Sequence, residues 1–477
     1  MSIFRNSFIY TGLSVAQKAV GFLLLPIYTA YLAPSDYGVI GTVTSLAGLL
    51  IVLYPLGGDN SLVRNFYPSD IMQVETPVLW GTLTTFLGSF ALAMTILLSL
   101  THRWILDRIM GAVPFWPYIA LGLGMALCTG LRTFYSLSLR VRQRGYGYLA
   151  VEGSFMLVRL ALLLLFIAVF HWKAFGALLA FFIAEASFCV IALILFSKDL
   201  VWKFDRRVLR QSLAYSLPIV PNSLAGWAMT YMSALVVNHY VGMGDAGLYT
   251  LAANLVLLQT FMITGFNDAY LPPLYEALST KDPAKSNHAW NLGFFAFCIF
   301  GLCTIVLTFF SREVLMMMTP SSYWNASKVV PWLVLAGFLH SFYIFFTHLL
   351  CYYKGGTRYL PIASLVGAVV SIVLMYLWVP RYSYLGAGAA SCAGVGVRMA
   401  VTMFICYRKF TVPWPPWLYN KIGLLTLAVM AFFFLAPRLG LATPFPLGYK
   451  MFLLAAYTGV LLFWLKRLPR TDSCSTS

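Results

Sequence analysis

Charged residues are scarce in this sequence. Only 10% of its 477 residues are Asp, Glu, Lys or Arg, and only 15 are acidic. Apolar residues make up 60% of the chain, and the mean hydropathy is +0.81. A chain with so little polar surface cannot cover its apolar residues in water and must use lipid as its solvent. The composition therefore excludes a water-soluble globular protein and predicts an all-α, polytopic integral membrane protein.

Several chemical signatures are also missing. No Walker A sequence, dinucleotide-binding glycine pattern, HExxH or GxSxG motif occurs, which argues against an ATP-driven pump and a hydrolase. The eight cysteines lack CxxC or metal-ligand spacing, so we interpret them as small hydrophobic residues. A membrane-embedded transferase should have paired acids, or a histidine beside a donor site, and the sequence shows neither pattern. We therefore predict a protein that is not an enzyme and has no cofactor or metal site.

Fourteen segments are apolar enough, at about 20 residues each, to cross a bilayer as helices. They are residues 8–32, 38–58, 78–100, 115–138, 148–170, 175–197, 213–237, 246–270, 288–310, 329–351, 359–379, 384–406, 420–437 and 449–465. The last two are short, so twelve or thirteen spans are the alternative. A single cation, Arg5, precedes the first segment, which lacks a cleavage site and is predicted to be a retained span.

The distribution of Lys and Arg predicts the orientation of these spans. With a cytoplasmic N-terminus, 20 of the 32 cations fall in inner segments, eight fall in outer loops, and the other four lie within spans. This excess indicates that both termini are cytoplasmic. It also explains the net charge of +17 by orientation and anionic lipid headgroups. A nucleic-acid partner is not expected, because no basic module with interleaved aromatic residues is present.

Three short motifs in the first half of the sequence recur in similar form 209 to 211 residues later. The three pairs of echoes are 36–41 (DYGVIG) with 245–250 (DAGLYT), 148–149 (YL) with 359–360 (YL), and 176–180 (GALLA) with 386–390 (GAGAA). Six spans separate the equivalents, so the halves share one orientation, as in transporters that hold substrate between two lobes. We predict two pseudo-symmetric six-helix lobes, 1–200 and 201–410, followed by two helices and a cytoplasmic tail in 411–477.

Prolines interrupt the predicted spans in both halves. Pro26 lies in the first span, and Pro218 and Pro221 lie early in the seventh. Each removes a helix hydrogen bond and can create a kink that acts as a gate. The alternative is that a membrane helix tolerates proline without such a role.

Ionisable residues within spans are the strongest candidates for function, because a charge at mid-bilayer costs at least about 2.5 to 3.5 kcal/mol. The candidates are Lys18, Arg132, Arg159, Arg398, Glu152, Glu185 and Asp268. We expect Arg132, near an inner end, to extend toward the headgroups. A structural ion pair between Arg159 and Glu185 is the alternative to a functional role for them. At the repeat offset Lys18, Arg159 and Glu185 all face uncharged residues, which favours a functional cation cluster in the first lobe. His340 and His348 are expected to pack or to form hydrogen bonds.

Four stretches of the chain resemble one family. FLLLPIYTAYLAPSDYGVIG near the N-terminus, SLVRNF at 61–66, and the mid-chain YSLPIVPNSLAGW and GLYTLAANL are similar in order and spacing to polysaccharide-biosynthesis flippases. The resemblance covers about residues 3 to 410. The chain departs from many relatives in the seventh span, where residues 231–233 (YMS) replace an acid–base pair.

This resemblance implies a MATE-like fold of the multidrug/oligosaccharidyl-lipid/polysaccharide exporter superfamily, located in the bacterial cytoplasmic (inner) membrane. It also implies a substrate, an undecaprenyl-pyrophosphate-linked oligosaccharide such as an O-antigen or exopolysaccharide unit, carried to the outer leaflet by alternating access. A cationic cavity would solvate the pyrophosphate. The expected cavity cations are Lys18, Arg64, Arg159 and Arg398. The expected groups for coupling to an ion gradient or the membrane potential are Glu152, Glu185 and Asp268, and the expected gating prolines are Pro26, Pro218 and Pro221.

Partners and alternatives follow from the same reasoning. The expected partners are the lipid-linked glycan, membrane lipids, a glycan polymerase and other assembly proteins. The alternative functions are a peptidoglycan-precursor flippase and a multidrug or organic-cation antiporter of the same fold. Less favoured are a membrane-embedded transferase and a scaffold for glycan enzymes that transports nothing.

Overall fold

The structure, a computed structural model, describes residues 2–66, 76–280, 282–409, 416–436 and 445–466. Within these ranges the chain folds into helices. They are α1 Ser2–Leu23, α2 Leu25–Tyr31, α3 Pro34–Leu53, α4 Gly58–Phe66, α5 Thr76–Leu100, α6 Leu106–Met110, α7 Ala120–Val141, α8 Gly145–Leu164, α9 Lys173–Ser197, α10 Arg206–Ser216, α11 Val220–Tyr240, α12 Met243–Thr280, α13 Pro283–Met318, α14 Val330–Tyr352, α15 Leu360–Lys409, α16 Pro416–Leu435 and α17 Leu447–Lys466.

Each of the fourteen predicted spans overlaps one of these helices or part of one. The eleventh and twelfth spans both lie in α15, which is interrupted at Ser383, where φ is 56°. Ten helical segments of the described residues are long and apolar enough to cross a membrane. The prediction of an all-α protein with many membrane spans is therefore confirmed.

Contacts between Cα atoms divide the chain into two compact units. The first comprises Met1–Leu251, Thr319–Tyr323 and Ala368–Ala390, and the remaining residues form the second. In the first unit α7 packs against α3, α5 and α9, and α3 also packs against α11. In the second unit α13 packs against α14, α16 and α17. The lobe boundaries at residues 200 and 410, which rest on the repeat, stay a prediction.

The first unit brings the two copies of one repeated motif into contact. Gly38 near the start of α3 and Gly247 near the start of α12 occupy equivalent positions in the echo. A Cβ atom on Gly38 would overlap the Met243 carbonyl oxygen, and one on Gly247 would overlap the carbonyl oxygen of Pro34. The contact is reciprocal, as it is across a two-fold axis. Glycine is needed at both positions because the two backbones meet without room for a side chain.

A second echo also recurs in the backbone. Lys173 and Ser383, which lie 210 residues apart, precede the two GALLA-like stretches. Both have a positive φ, of 49° and 56°. Such a conformation is uncommon for residues other than glycine. Its occurrence at equivalent positions supports the prediction of two pseudo-symmetric halves.

The three prolines lie at helix starts or between helices. Pro26 is in the first turn of α2, directly after the break that ends α1. Pro218 lies in a short 3-10 turn between α10 and α11, and Pro221 lies in the first turn of α11. A missing N–H costs no helix hydrogen bond in a first turn. The gating role of these residues stays a prediction.

Candidate functional site

A buried ion cluster joins three helices of the first unit. Arg132 of α7 is 6% exposed, and its Nε donates to Glu185 Oε2 of α9 at 2.8 Å. Its Nη2 lies 3.4 Å from Glu185 Oε1, and its Nη1 pairs with Glu152 Oε1 of α8. The guanidinium also stacks 3.9 Å from the centre of the Phe155 ring. One buried arginine thus holds two buried carboxylates.

Neutral donors complete the surroundings of Glu152. Ser136 lies one turn after Arg132 on α7, so both side chains face the same carboxylate. Ser136 Oγ donates to Glu152 Oε1 at 2.5 Å, and Gln17 Nε2 of α1 donates to Oε2 at 3.4 Å. With both acids ionised, the described members of the cluster carry one net negative charge, and a buried charge without a counter-ion is costly. Uptake of one proton by a carboxylate would make the cluster neutral.

One expectation and one alternative about these residues are wrong. Arg132 does not extend toward the headgroups, because two acids hold its guanidinium within the helix packing. Glu185 pairs with Arg132 and not with Arg159. Arg159 and Glu185 lie on consecutive spans, α8 and α9, but α9 packs most extensively on α7, two helices earlier in the chain. The sequence signal that was missed is the spacing of Arg132 and Ser136, which places two donors on one helix face.

Arg159 has a different environment on α8. Its side chain is half-buried, and its guanidinium stacks 4.0 Å from the centre of the Phe181 ring of α9. Among the described residues no acid lies within ion-pair distance of it. Arg132 is therefore paired with acids, whereas Arg159 packs on an aromatic ring and has no acidic partner among the described residues.

The second unit contains a buried cation with no acidic partner among the described residues. Arg398 of α15 is 8% exposed, and its Nη2 lies 2.6 Å from Nδ1 of His340 on α14. Its guanidinium stacks 3.9 Å from the centre of the Tyr343 ring. A guanidinium only donates, so His340 accepts through Nδ1 and its ring is neutral. Arg398 Nε has no hydrogen-bond partner within the described part of the chain.

The remaining candidates lie apart from these clusters or cannot be placed. Arg64 on α4 is exposed, and its guanidinium lies 4.1 Å from the centre of the Tyr215 ring. The side chains of Lys18 on α1 and Asp268 on α12 lie outside the described residues. Arg159 belongs to the first unit and Arg398 to the second. Convergence of the cations on one cleft therefore stays a prediction. The hydrogen bonds expected of the histidines are present, since His348 Nε2 also lies 2.5 Å from Asn267 Oδ1.

The helices and the buried ionic groups define a multi-span membrane protein with the fold of flippases and transporters. The fold is similar to that of the lipid II flippase MurJ in an inward closed conformation, with a TM-score of 0.71 and 12% identity, over 96% of this chain and 98% of that chain. It is also similar to an inward-facing multidrug resistance MATE family transporter of the MOP superfamily, with a TM-score of 0.60 and 14% identity, over 85% of this chain and 95% of that one.

The chain belongs to the polysaccharide biosynthesis protein family, whose family model matches residues 3–278. A curated relative is the Lsg locus putative protein 1 of Haemophilus influenzae. It is 22% identical, and the match covers 80% of this chain and 99% of that protein. The family expected from the sequence is thereby confirmed.

Proposed function

We propose that this protein is a flippase that moves an undecaprenyl-pyrophosphate-linked oligosaccharide, an O-antigen or exopolysaccharide unit, from the inner to the outer leaflet of the bacterial cytoplasmic membrane. Both termini are cytoplasmic, and no covalent step is involved. Family membership supports a glycan-linked substrate. The fold supports alternating access, in which two lobes expose a site to each side in turn.

The observation that carries this proposal is the environment of Arg398. A buried guanidinium in a membrane span is retained only where a partner or water meets it. Among the described residues Arg398 has a neutral histidine and an aromatic ring as partners, and its Nε–H has no acceptor. An anionic group is the missing counterpart, and the pyrophosphate of a lipid-linked glycan supplies one. Arg159, Lys18 and Arg64 are proposed as further cations on its route.

Replacing Arg398 or Arg159 by glutamine is expected to lower surface glycan about tenfold or more in a strain that lacks the protein. A hydrogen bond to a charged group contributes about 1.5 to 3 kcal/mol, and that interaction would be lost. The measurement is surface glycan at matched protein levels. Arg312→Gln, which removes an exposed charge, is the control and should restore glycan fully. Full restoration by both test variants would refute the assignment of these cations.

We further propose that the Arg132 cluster couples transport to a proton gradient. Arg132 holds Glu185 through two of its nitrogens, so Glu152 is the surplus acid. Glu152 also contacts Gln17 of α1, and protonation would remove the charge that Gln17 contacts. The protonation state of the cluster would therefore affect the position of α1, which ends just before Pro26.

The Gly38–Gly247 crossing is proposed as the closed outer end of the first unit, because α3 and α12 start on the outer side when the N-terminus is cytoplasmic. Gly247→Ala is expected to force the helices apart and to lower stability by about 1 to 3 kcal/mol. Thermal unfolding of the purified protein measures this effect. Gly244→Ala, on the same helix with open space around the new methyl group, is the matched control. Equal unfolding temperatures of the two variants would contradict the close crossing.

A second candidate function is a flippase for a peptidoglycan precursor, which the fold shared with the lipid II flippase favours. Its substrate has the same carrier chemistry and differs in the glycan. Complementation of a strain that lacks its peptidoglycan-precursor flippase would support this candidate. An organic-cation antiporter is less favoured, because Arg398, which has no acidic partner among the described residues, repels a cation.

A further inference from the structure

The segment that spans the predicted boundary between the two sequence halves, residues 198–210, is fixed to the first unit. We call it the linker segment. Thr82 of α5 donates through Oγ1 to the Lys203 carbonyl at 3.0 Å, and the same oxygen accepts from the Asp205 N–H at 3.2 Å. The Arg142 guanidinium pairs with Asp199 at 2.6 Å. These contacts hold the segment in one conformation although most of its side chains are exposed.

The linker segment presents an excess of positive charge. Its two acids have partners within the protein, because Asp199 pairs with Arg142 and Asp205 caps α10 by accepting the N–H groups of Arg207 and Val208. The exposed cations are Lys198, Lys203, Arg206, Arg207 and Arg210. No ion pair of the described residues includes any of them.

Large apolar side chains are exposed beside these cations. Val201, Trp202 and Phe204 are 45%, 60% and 48% exposed, whereas Val208 on α10 is buried. Exposed aromatic rings next to Lys and Arg are typical of the membrane interface, where the rings lie at headgroup level and the cations meet lipid phosphates. The combination distinguishes the linker segment from a solvated charged loop, which would not expose aromatic rings.

We propose that the linker segment is a binding surface for anionic phospholipid headgroups, such as phosphatidylglycerol, in the leaflet that it faces. The complementary charge favours this partner, and the fixed backbone means that little ordering accompanies binding. Each cation close to an anionic membrane contributes about fivefold in affinity. The inference is independent of the transported substrate, since it concerns bulk lipid at the surface of the first unit.

The test is a lipid titration of the purified full-length protein, followed by native mass spectrometry. The triple variant R206Q/R207Q/R210Q is expected to bind phosphatidylglycerol about a hundredfold more weakly than the parent protein, with unchanged binding of phosphatidylcholine. R103Q/R108Q/R312Q removes three other exposed arginines and should bind like the parent protein. Thermal unfolding checks that both variants are folded. Equal phosphatidylglycerol binding by the parent and the first variant, or an equal loss in the control, would overturn the proposal.

A second measurement identifies the occupant in membranes. A photo-crosslinker, p-benzoylphenylalanine, in place of the exposed Trp202 is expected to form lipid adducts on irradiation. Adducts with another protein in place of lipid would show that the linker segment is a protein-docking surface and would overturn the assignment.

Discussion

Replacement of Arg132 by leucine is expected to abolish accumulation of the folded protein. The change leaves Glu152 and Glu185 buried without their shared cation, and loss of one partner from a buried ion pair costs about 3 to 5 kcal/mol. Native membrane proteins have little stability to spare. The measurement is the yield of monodisperse protein and its unfolding temperature after extraction in detergent.

Two further variants distinguish the loss of the ion cluster from a general effect of replacing an arginine by leucine. Arg140→Leu makes the same change two turns later on α7, where the side chain is exposed, and should leave the yield unchanged. The triple variant R132L/E152Q/E185Q has no buried charge left in the cluster and should regain much of the yield, because neutral replacement of a whole buried network is often tolerated. A triple variant as unstable as Arg132→Leu would show that packing, and not charge, explains the loss.

Glu152→Gln is expected to leave the protein folded and to remove the dependence of transport on a proton gradient. Glutamine keeps the shape of a protonated carboxylic acid and leaves the Arg132–Glu185 pair intact. Each pH unit of gradient contributes about 1.4 kcal/mol per coupled proton, or about tenfold in the accumulation ratio. The measurement is the initial transport rate in proteoliposomes with and without an imposed pH gradient.

The control for this variant is Glu276→Gln, which makes the same chemical change in an exposed ion pair with Lys285. Surface ion pairs contribute little, so the gradient dependence should persist. If Glu152→Gln retains the gradient dependence of the parent protein while Glu185→Gln loses it, the surplus acid is Glu185. If both variants retain it, the cluster is structural.

Much of the fold could be predicted because it depends on composition and on sequence periodicity. Runs of about 20 apolar residues can form only helices in lipid. The excess of Lys and Arg in the predicted inner segments predicts the orientation of these helices in the membrane. The glycine-containing echoes were detectable since close backbone contact demands the same residue in both copies. Gly38 lies against the carbonyl group of Met243, four residues before Gly247, and Gly247 lies against that of Pro34, four residues before Gly38.

The partners of the buried charges could not be predicted in the same way. Depth along a helix can be counted from the sequence, but the rotation of the helix and the identity of its neighbours depend on packing. Arg132 illustrates the difference, since counting placed it near a helix end and packing places it between Glu152 and Glu185. Gln17 could not be identified either, because its contact with Glu152 joins α1 to α8 across 135 positions.

With both acids ionised, the described residues of equivalent helix pairs in the two halves form clusters of opposite net charge. α7 and α14 start 210 residues apart, at Ala120 and Val330, and α9 corresponds to the second part of α15. The first pair carries the Arg132–Glu185 contact of a net negative cluster, and the second carries the Arg398–His340 contact with one positive charge. This asymmetry fits a division of roles in which the first half exchanges a proton and the second half meets an anion.

Transport of a defined undecaprenyl-pyrophosphate oligosaccharide in proteoliposomes that contain only the purified protein tests the proposed flippase function directly. The glycan is expected to move from the loaded leaflet to the opposite one, and Arg398→Gln is expected to slow this movement about tenfold or more at equal protein density. Absence of movement, with transport of an organic cation by the same preparation, would contradict it.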